Sequence, residues 1–168
     1  MMEKYTLDYD QKCISKEEVK KWVENGPESN LIEKTEGTGK YLSSIKQYET
    51  ERNGTIKTDK NGRQKTKDQE LTTSQIRAIF TKLKEIDAKP GNFEDTKKAE
   101  LLMMKPLVAY AAGRHDKKGI EVFKNYIINP GIDKIFEATQ PDEMNKRFKN
   151  FVKLLEAVLA YHKAHGGN

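Results

Sequence analysis

The sequence predicts an all-α protein, a compact irregular bundle of about five helices with a flexible basic loop near the amino-terminal third. Three observations predict it. Apolar residues recur at helical spacing in several segments. Capping signatures stand in front of two of those segments. No stretch shows the sustained apolar–polar alternation of a strand, so no strand is expected.

The first helix is expected over 15–25. Ser15 is placed to be its N-cap, Glu18 its capping-box partner, and Ile14 and Val19 a hydrophobic staple. Val19, Trp22 and Val23 make one apolar side, and Asn25-Gly26-Pro27 ends the helix. In the segment that follows, Leu31, Ile32, Tyr41, Leu42, Ile45 and Tyr48 suit part of a second helix. Gly37 and Gly39 interrupt it, so its start is expected near Lys40. Residues 49–70 hold one aliphatic side chain, Ile56, and two Asn-Gly pairs at 53–54 and 61–62. Asn-Gly favours hairpin turns, but the flanks lack alternating apolar residues, so the stretch reads as a loop and not a stable hairpin.

At Leu71 the character changes. Thr72 and Gln75 form a second capping box, with Leu71 and Ile76 as staple. Ile76, Ile79, Phe80, Leu83 and Ile86 then follow as one stripe, with Arg77 and Lys84 flanking the same edge two turns apart. A helix over 94–113 carries Leu101, Leu102, Met104, Leu107, Val108 and Ala111. Pro106 predicts a kink or break near 102–106, and Gly113 a C-cap. A helix over 117–128 turns Ile120, Phe123 and Ile127 inward. Asn129-Pro130-Gly131 is expected to break it before a short helix bearing Ile132, Ile135 and Phe136. The last helix, over 141–165, has a continuous face from Phe148 through Phe151, Val152, Leu155, Val158 and Leu159 to His162. One domain is expected, organised as an amino-terminal arm (1–51), a basic loop (52–70) and a bundle core (71–168).

Charge is distributed unevenly along this plan. The net charge is +5, yet residues 1–51 sum to −3, residues 52–67 to +5 and residues 68–168 to +3. The short middle segment holds Arg52, Lys57, Lys60, Arg63, Lys65 and Lys67, a cluster suited to polyanions through phosphate neutralisation and counterion release. Most phenylalanines sit on inward helical faces, which favours phosphate contacts over base stacking. The amino terminus lacks the apolar core of a signal peptide, and no apolar run approaches the ~20 residues of a membrane span, so a cytoplasmic protein is expected.

Catalytic chemistry finds little support. Cys13 is alone, which excludes an internal disulfide; its place by a helix start is one that can lower a thiol pKa, but no histidine is near it in sequence. Gly37-Thr38-Gly39-Lys40 lacks the spacing of a phosphate-binding loop. His162 and His165 share a helix face, but a zinc site needs at least one more ligand. A metal-free ribonuclease pairing His115 with His162 or His165 is the runner-up. A helix-turn-helix DNA reader beginning at Leu71 ranks lower, because the next helix is among the most apolar in the chain. No cofactor, metal or catalytic residue is assigned.

Three short motifs occur in order: Leu-Thr-Thr-Ser-Gln-Ile-Arg at 71–77, Ala-Tyr-Ala-Ala-Gly-Arg at 109–114 and Ala-Tyr-His-Lys at 160–163, with Phe148, Phe151 and Glu156 before the last. Across residues 71–167 the chain resembles the small subunit of the type III-A, Csm-type CRISPR effector complex. The resemblance implies an α-helical, non-catalytic subunit present in several copies beside the guide-holding backbone subunits and the large subunit. It implies a filament lining the channel in which target RNA pairs with guide RNA. Lys65, Lys67, Arg77, Lys84 and Arg114 are the cations expected to meet phosphate. Arg114 has a competing role, pairing with Asp116 or capping helix carbonyls, and Arg77 likewise has a nearby acid as a competing partner. Residues 1–51 depart from the resemblance, and their negative charge makes them a poor RNA face.

Overall fold

The computed structural model describes residues 3–167. The chain order is α1 (Lys16–Asn25), α2 (Ser29–Ser44), β1 (Lys46–Tyr48), β2 (Thr66–Asp68), α3 (Thr73–Asp87), α4 (Phe93–Thr96), α5 (Lys98–His115), α6 (Lys118–Val122), a π-helical turn (Phe123–Ile128), α7 (Asn129–Phe136) and α8 (Pro141–Ala164). The fold is therefore mostly helical, as expected.

α8 is the axis. Phe148, Phe151, Leu154, Leu155 and Val158 on it are essentially inaccessible to solvent, and α1, α2, α3 and α7 pack around it. Each such side chain contributes roughly 1.5–3 kcal/mol by burial. α1 is tied to the axis by polar contacts as well. The Trp22 indole N–H donates to Asn150 O at 2.9 Å, and Asn150 Nδ2 donates to Val23 O at 3.0 Å. Both expected capping boxes form, at Ser15 with Glu18 and at Thr72 with Gln75.

Several expectations about these helices need correction. α2 begins at Ser29, not near Lys40, and runs through both glycines. Gly39 is there for close approach: a Cβ on it would lie 2.6 Å from the His162 backbone nitrogen of α8. α5 is unbroken through Pro106 and continues past Gly113 to a left-handed cap at Asp116. The interruption falls earlier, at Lys97, whose buried side chain donates to Asp87 O at 2.9 Å. Asn129-Pro130-Gly131 does not break its helix either, for α6, the π turn and α7 run on continuously. A proline in a helix removes one hydrogen bond and crowds the carbonyl four residues back. The wider π turn just before Pro130 relieves that crowding. Finally, Leu102 and Leu107 of α5 are exposed, while Leu101, Met104 and Val108 are buried.

The largest correction concerns residues 46–69. This stretch forms a small β finger, although neither strand nor stable hairpin was expected. β1 and β2 pair antiparallel in the register Lys46↔Asp68, Gln47↔Lys67 and Tyr48↔Thr66. Beyond them the chain makes two successive hairpin turns at the Asn-Gly pairs. Gly54 N donates to Glu51 O and Glu51 N to Thr55 O; Gly62 N donates to Asp59 O and Asp59 N to Arg63 O. Gly54 and Gly62 have φ of 87° and 78° while the asparagines before them do not have positive φ. This is the three-residue turn that ends in a left-handed glycine, and it needs no φ > 0 at asparagine. The finger's edge is supplied from far away in sequence. Thr6 N donates to Lys46 O and Tyr48 N to Lys4 O, so residues 4–6 flank β1 on its other side.

Candidate nucleic-acid interface

The finger meets the bundle at Gln69–Leu71, and the joint is built almost wholly from backbone. Gln69 N donates to Ile45 O at 3.0 Å, and Leu71 N to Leu42 O at 2.8 Å. Gly119 N donates to Gln69 O at 2.8 Å, while Gln69 Oε1 accepts from Lys118 N at 2.8 Å. Gly119 must lack a side chain, because a Cβ would lie 2.7 Å from Gln69 O. His162 Nε2 closes the joint on Leu71 O. A carbonyl accepts only, so Nε2 carries the proton, and the buried Nδ1 has no hydrogen-bond partner among the described residues.

The predicted cations lie on three elements around this joint. Lys65 and Lys67 are exposed on the strand that enters it. Lys65 N donates to Lys57 O, Lys57 N to Glu49 O and Glu49 N to Lys65 O, so the two hairpins bring the Lys57 and Lys65 backbones together. Arg77 and Lys84 are exposed on α3, which leaves the joint at Thr72. They lie seven residues apart, about 10.5 Å along one side of the helix. Arg114 is exposed near the end of α5. Its neighbour His115 lines the same groove as Thr72, Ser74 and Gln75, so the end of α5 approaches the start of α3.

Among the described residues, Lys65, Lys67, Arg77, Lys84 and Arg114 are in no ion pair within 4.0 Å, so the pairings that competed for Arg77 and Arg114 do not form. Lys46 differs, for its Nζ sits 2.7 Å from Asp68. That hydrogen bond raises the Lys46 pKa and lowers that of Asp68. Three cations of the amino-terminal arm are also engaged: Lys20 with Glu17, Lys21 with Glu28, and Lys16 over the Tyr126 ring at 4.9 Å.

Of the candidate catalytic groups, His162 is used structurally. His162 is fully buried with its Nε2 on a backbone carbonyl, and burial holds its pKa below the usual histidine value. His115, by contrast, is exposed on α5. His165 lies 3.4 Å from Glu36. Cys13 is buried, and burial pushes its thiol up to about 11, the opposite of activation by a helix start. No cluster of three metal-ligating side chains occurs among the described residues, and none of their helices is long and apolar enough to cross a membrane.

Sequence reasoning missed Gln69 and Gly119, which join the finger to the bundle, and the contact of His162, read only as part of the α8 face, with Leu71 O. It also missed the exposed side of α5. The first three act through contacts 49 to 91 residues apart in sequence, and no local pattern signals those.

Comparison with known families gives a match over residues 49–168 to the family described as Csm2 Type III-A. Neither curated proteins nor solved structures give a match. The matched region takes in the finger from Glu49, the whole of α3 and every helix after it, and leaves out α1 and α2. With well over half its length matched, the chain belongs to the Csm2 family and is a small subunit of a type III-A CRISPR effector complex.

Proposed function

We propose that this chain is a non-catalytic, cytoplasmic subunit that lines the guide and target RNA path and holds RNA by its phosphates. Lys65 and Lys67 on the finger, Arg77 and Lys84 on α3 and Arg114 at the end of α5 make the contacts. The observation that carries this reading is electrostatic. Among the described residues these five cations have no acidic partner, whereas Lys20 and Lys21 on the acidic arm are ion-paired and Lys16 lies over the Tyr126 ring. A cation without an internal partner keeps its full charge for an external anion. Phosphate contacts position RNA without reading its sequence, so the binding is sequence-tolerant and strongly salt-dependent.

Charge reversal tests the assignment. Changing Lys65, Lys67, Arg77 and Lys84 to Glu should abolish most single-stranded RNA capture. With all four in contact, the salt dependence of binding loses about 3 units of log–log slope, at ~0.7 per phosphate. Reversing Lys16, Lys20 and Lys21 should change binding much less. Equal losses from both sets would reduce the effect to diffuse attraction and sink the site. In the same preparations labelled RNA should stay intact with and without divalent metal. Cleavage that disappears in a His115→Ala, His162→Ala variant would instead make the chain a ribonuclease.

A further inference from the structure

A groove of about 560 Å³ opens between α3 and α5, within the range of about 300–1,000 Å³ that small-molecule sites occupy. Its floor is apolar, made by Ile79, Met104, Leu107, Val108, Ala111 and Ile120. Two alanines keep it open. Ala78 is exposed on α3 and Ala111 is half-buried on α5, and both line the gap that longer side chains would close. Leu107 remains 51% exposed, so this floor is left uncovered by the rest of the fold.

The rim gives the second, independent observation. At one end of the groove Ser74 and Gln75 of α3 meet His115 and Lys117 at the finish of α5. Gln75 Oε1 accepts from Thr72 N at 2.9 Å, which leaves its Nε2 without a partner. The side chains of Ser74, His115 and Lys117 likewise make no hydrogen bond or ion pair among the described residues. An apolar floor beside four unmatched polar groups, one of them a fixed cation, defines an occupant with an apolar face, polar edges and a negative charge. An aliphatic side chain of another protein would fill the floor and leave the rim unmatched. A free inorganic anion would meet the rim and leave the floor in water. A nucleotide satisfies both, with its base on the floor, its base edge toward Ser74 and Gln75, and its phosphate toward His115 and Lys117. Every base has such a face, so the seat adds affinity without reading sequence. The groove also lies on the path already assigned to phosphates. After Lys46, Lys117 is a further cation that lowers the Asp68 pKa, which puts this rim beside the finger strand that carries Lys65 and Lys67.

We infer that the groove between α3 and α5 seats one unstacked nucleotide of bound single-stranded RNA, base inward and phosphate at His115 and Lys117. The inference rests on the RNA reading proposed above, and the test separates the two. Full-length protein is titrated with oligouridine and with an abasic ribose–phosphate strand of equal length. Oligouridine should bind about tenfold more tightly, because only it has a base to bury. Ala78→Trp fills the groove from an exposed position, so it spares the core. It should lower oligouridine affinity about tenfold, to the level of the abasic strand, while capture of the abasic strand and the salt slope stay unchanged. A strand carrying 4-thiouridine, irradiated on wild-type protein, should cross-link to the segment from Met104 to His115. Equal capture of the two strands by wild type overturns the inference and leaves the phosphate contacts standing. So does an Ala78→Trp protein that keeps its preference for bases, or cross-links confined to the finger. Capture of neither strand overturns both readings. A base preference that vanishes in Ala78→Trp, with abasic capture indifferent to reversal of Lys65, Lys67, Arg77 and Lys84, upholds the groove and sinks the phosphate assignment. Protection of Met104 to His115 from hydrogen exchange by another subunit, and not by oligouridine, overturns the inference and gives the groove to a protein.

Discussion

The bundle and the β finger are held together by different physics. The bundle closes on α8 through fully buried side chains such as Phe148, Phe151 and Leu155. Between Glu49 and Gln69 the finger has Ile56 as its only aliphatic side chain, and that residue is only half-buried. Its order comes from backbone pairing, two left-handed glycines and the flanking strand of residues 4–6. A segment with no apolar side to bury can leave its cations exposed and unpaired, as Lys65 and Lys67 are. The bundle supplies rigidity and the finger supplies charge, and the Gln69–Leu71 joint decides where that charge is presented.

The largest expected effect lies at the bundle axis. Phe151 is fully buried, and its ring fills the space that Gly131 leaves by lacking a side chain. Phe151→Ala should cost about 3–5 kcal/mol in chemical denaturation, since the cavity has no side chain free to fill it. A loss below about 1 kcal/mol would mean that the axis is not the core the packing describes.

The joint comes second. His162→Ala opens a cavity and strips Leu71 O of its donor, which should cost about 2–4 kcal/mol. His162 also makes the joint sensitive to pH. Burial lowers its folded pKa beneath the unfolded value, so the unfolded chain binds the proton more readily. The stability it contributes is complete above the unfolded pKa near 6.5 and is lost as pH falls from there toward the lower folded value. Melting temperatures should therefore fall as pH drops below about 6.5, and His162→Gln should flatten that part of the curve. An unchanged slope in the variant would assign the proton uptake to another group.

The same contrast explains what was legible in the sequence. Both capping boxes and the stripe from Ile76 to Ile86 were readable, because caps and amphipathic periods are local. α8 was readable for the same reason, with Phe148 to His162 forming one face. The continuity of α2 was not, since Gly37 and Gly39 weaken a helix locally and are compensated only by the close approach of Lys12 and His162. The finger was hidden too: its pairing runs to residues 4–6 and its turns use glycine alone at positive φ. The exposed side of α5 was concealed by composition, because Leu102 and Leu107 have the residue type of core. The cations themselves were readable as unbalanced charge. Their freedom from internal partners came only with the three-dimensional arrangement.

The smallest effect tests whether finger and bundle are one cooperative unit. Gly62 has a φ of 78°, and a Cβ there would touch nothing within 4 Å. Gly62→Ala therefore introduces no clash, only the cost of about 1 kcal/mol for holding an L-residue in left-handed backbone. If the finger opens independently of the bundle, that cost appears locally. Trypsin should then cut at Lys60 and Arg63 roughly fivefold faster, as 1 kcal/mol dictates, while the global Tm stays within error. The reason is that the hairpin around Gly62 gives no fully buried side chain to the core. A fall in global Tm with no change in cleavage would show the reverse: that residues 46–69 unfold only with α8, and that the bundle grips the finger along its length rather than at Gln69–Leu71 alone.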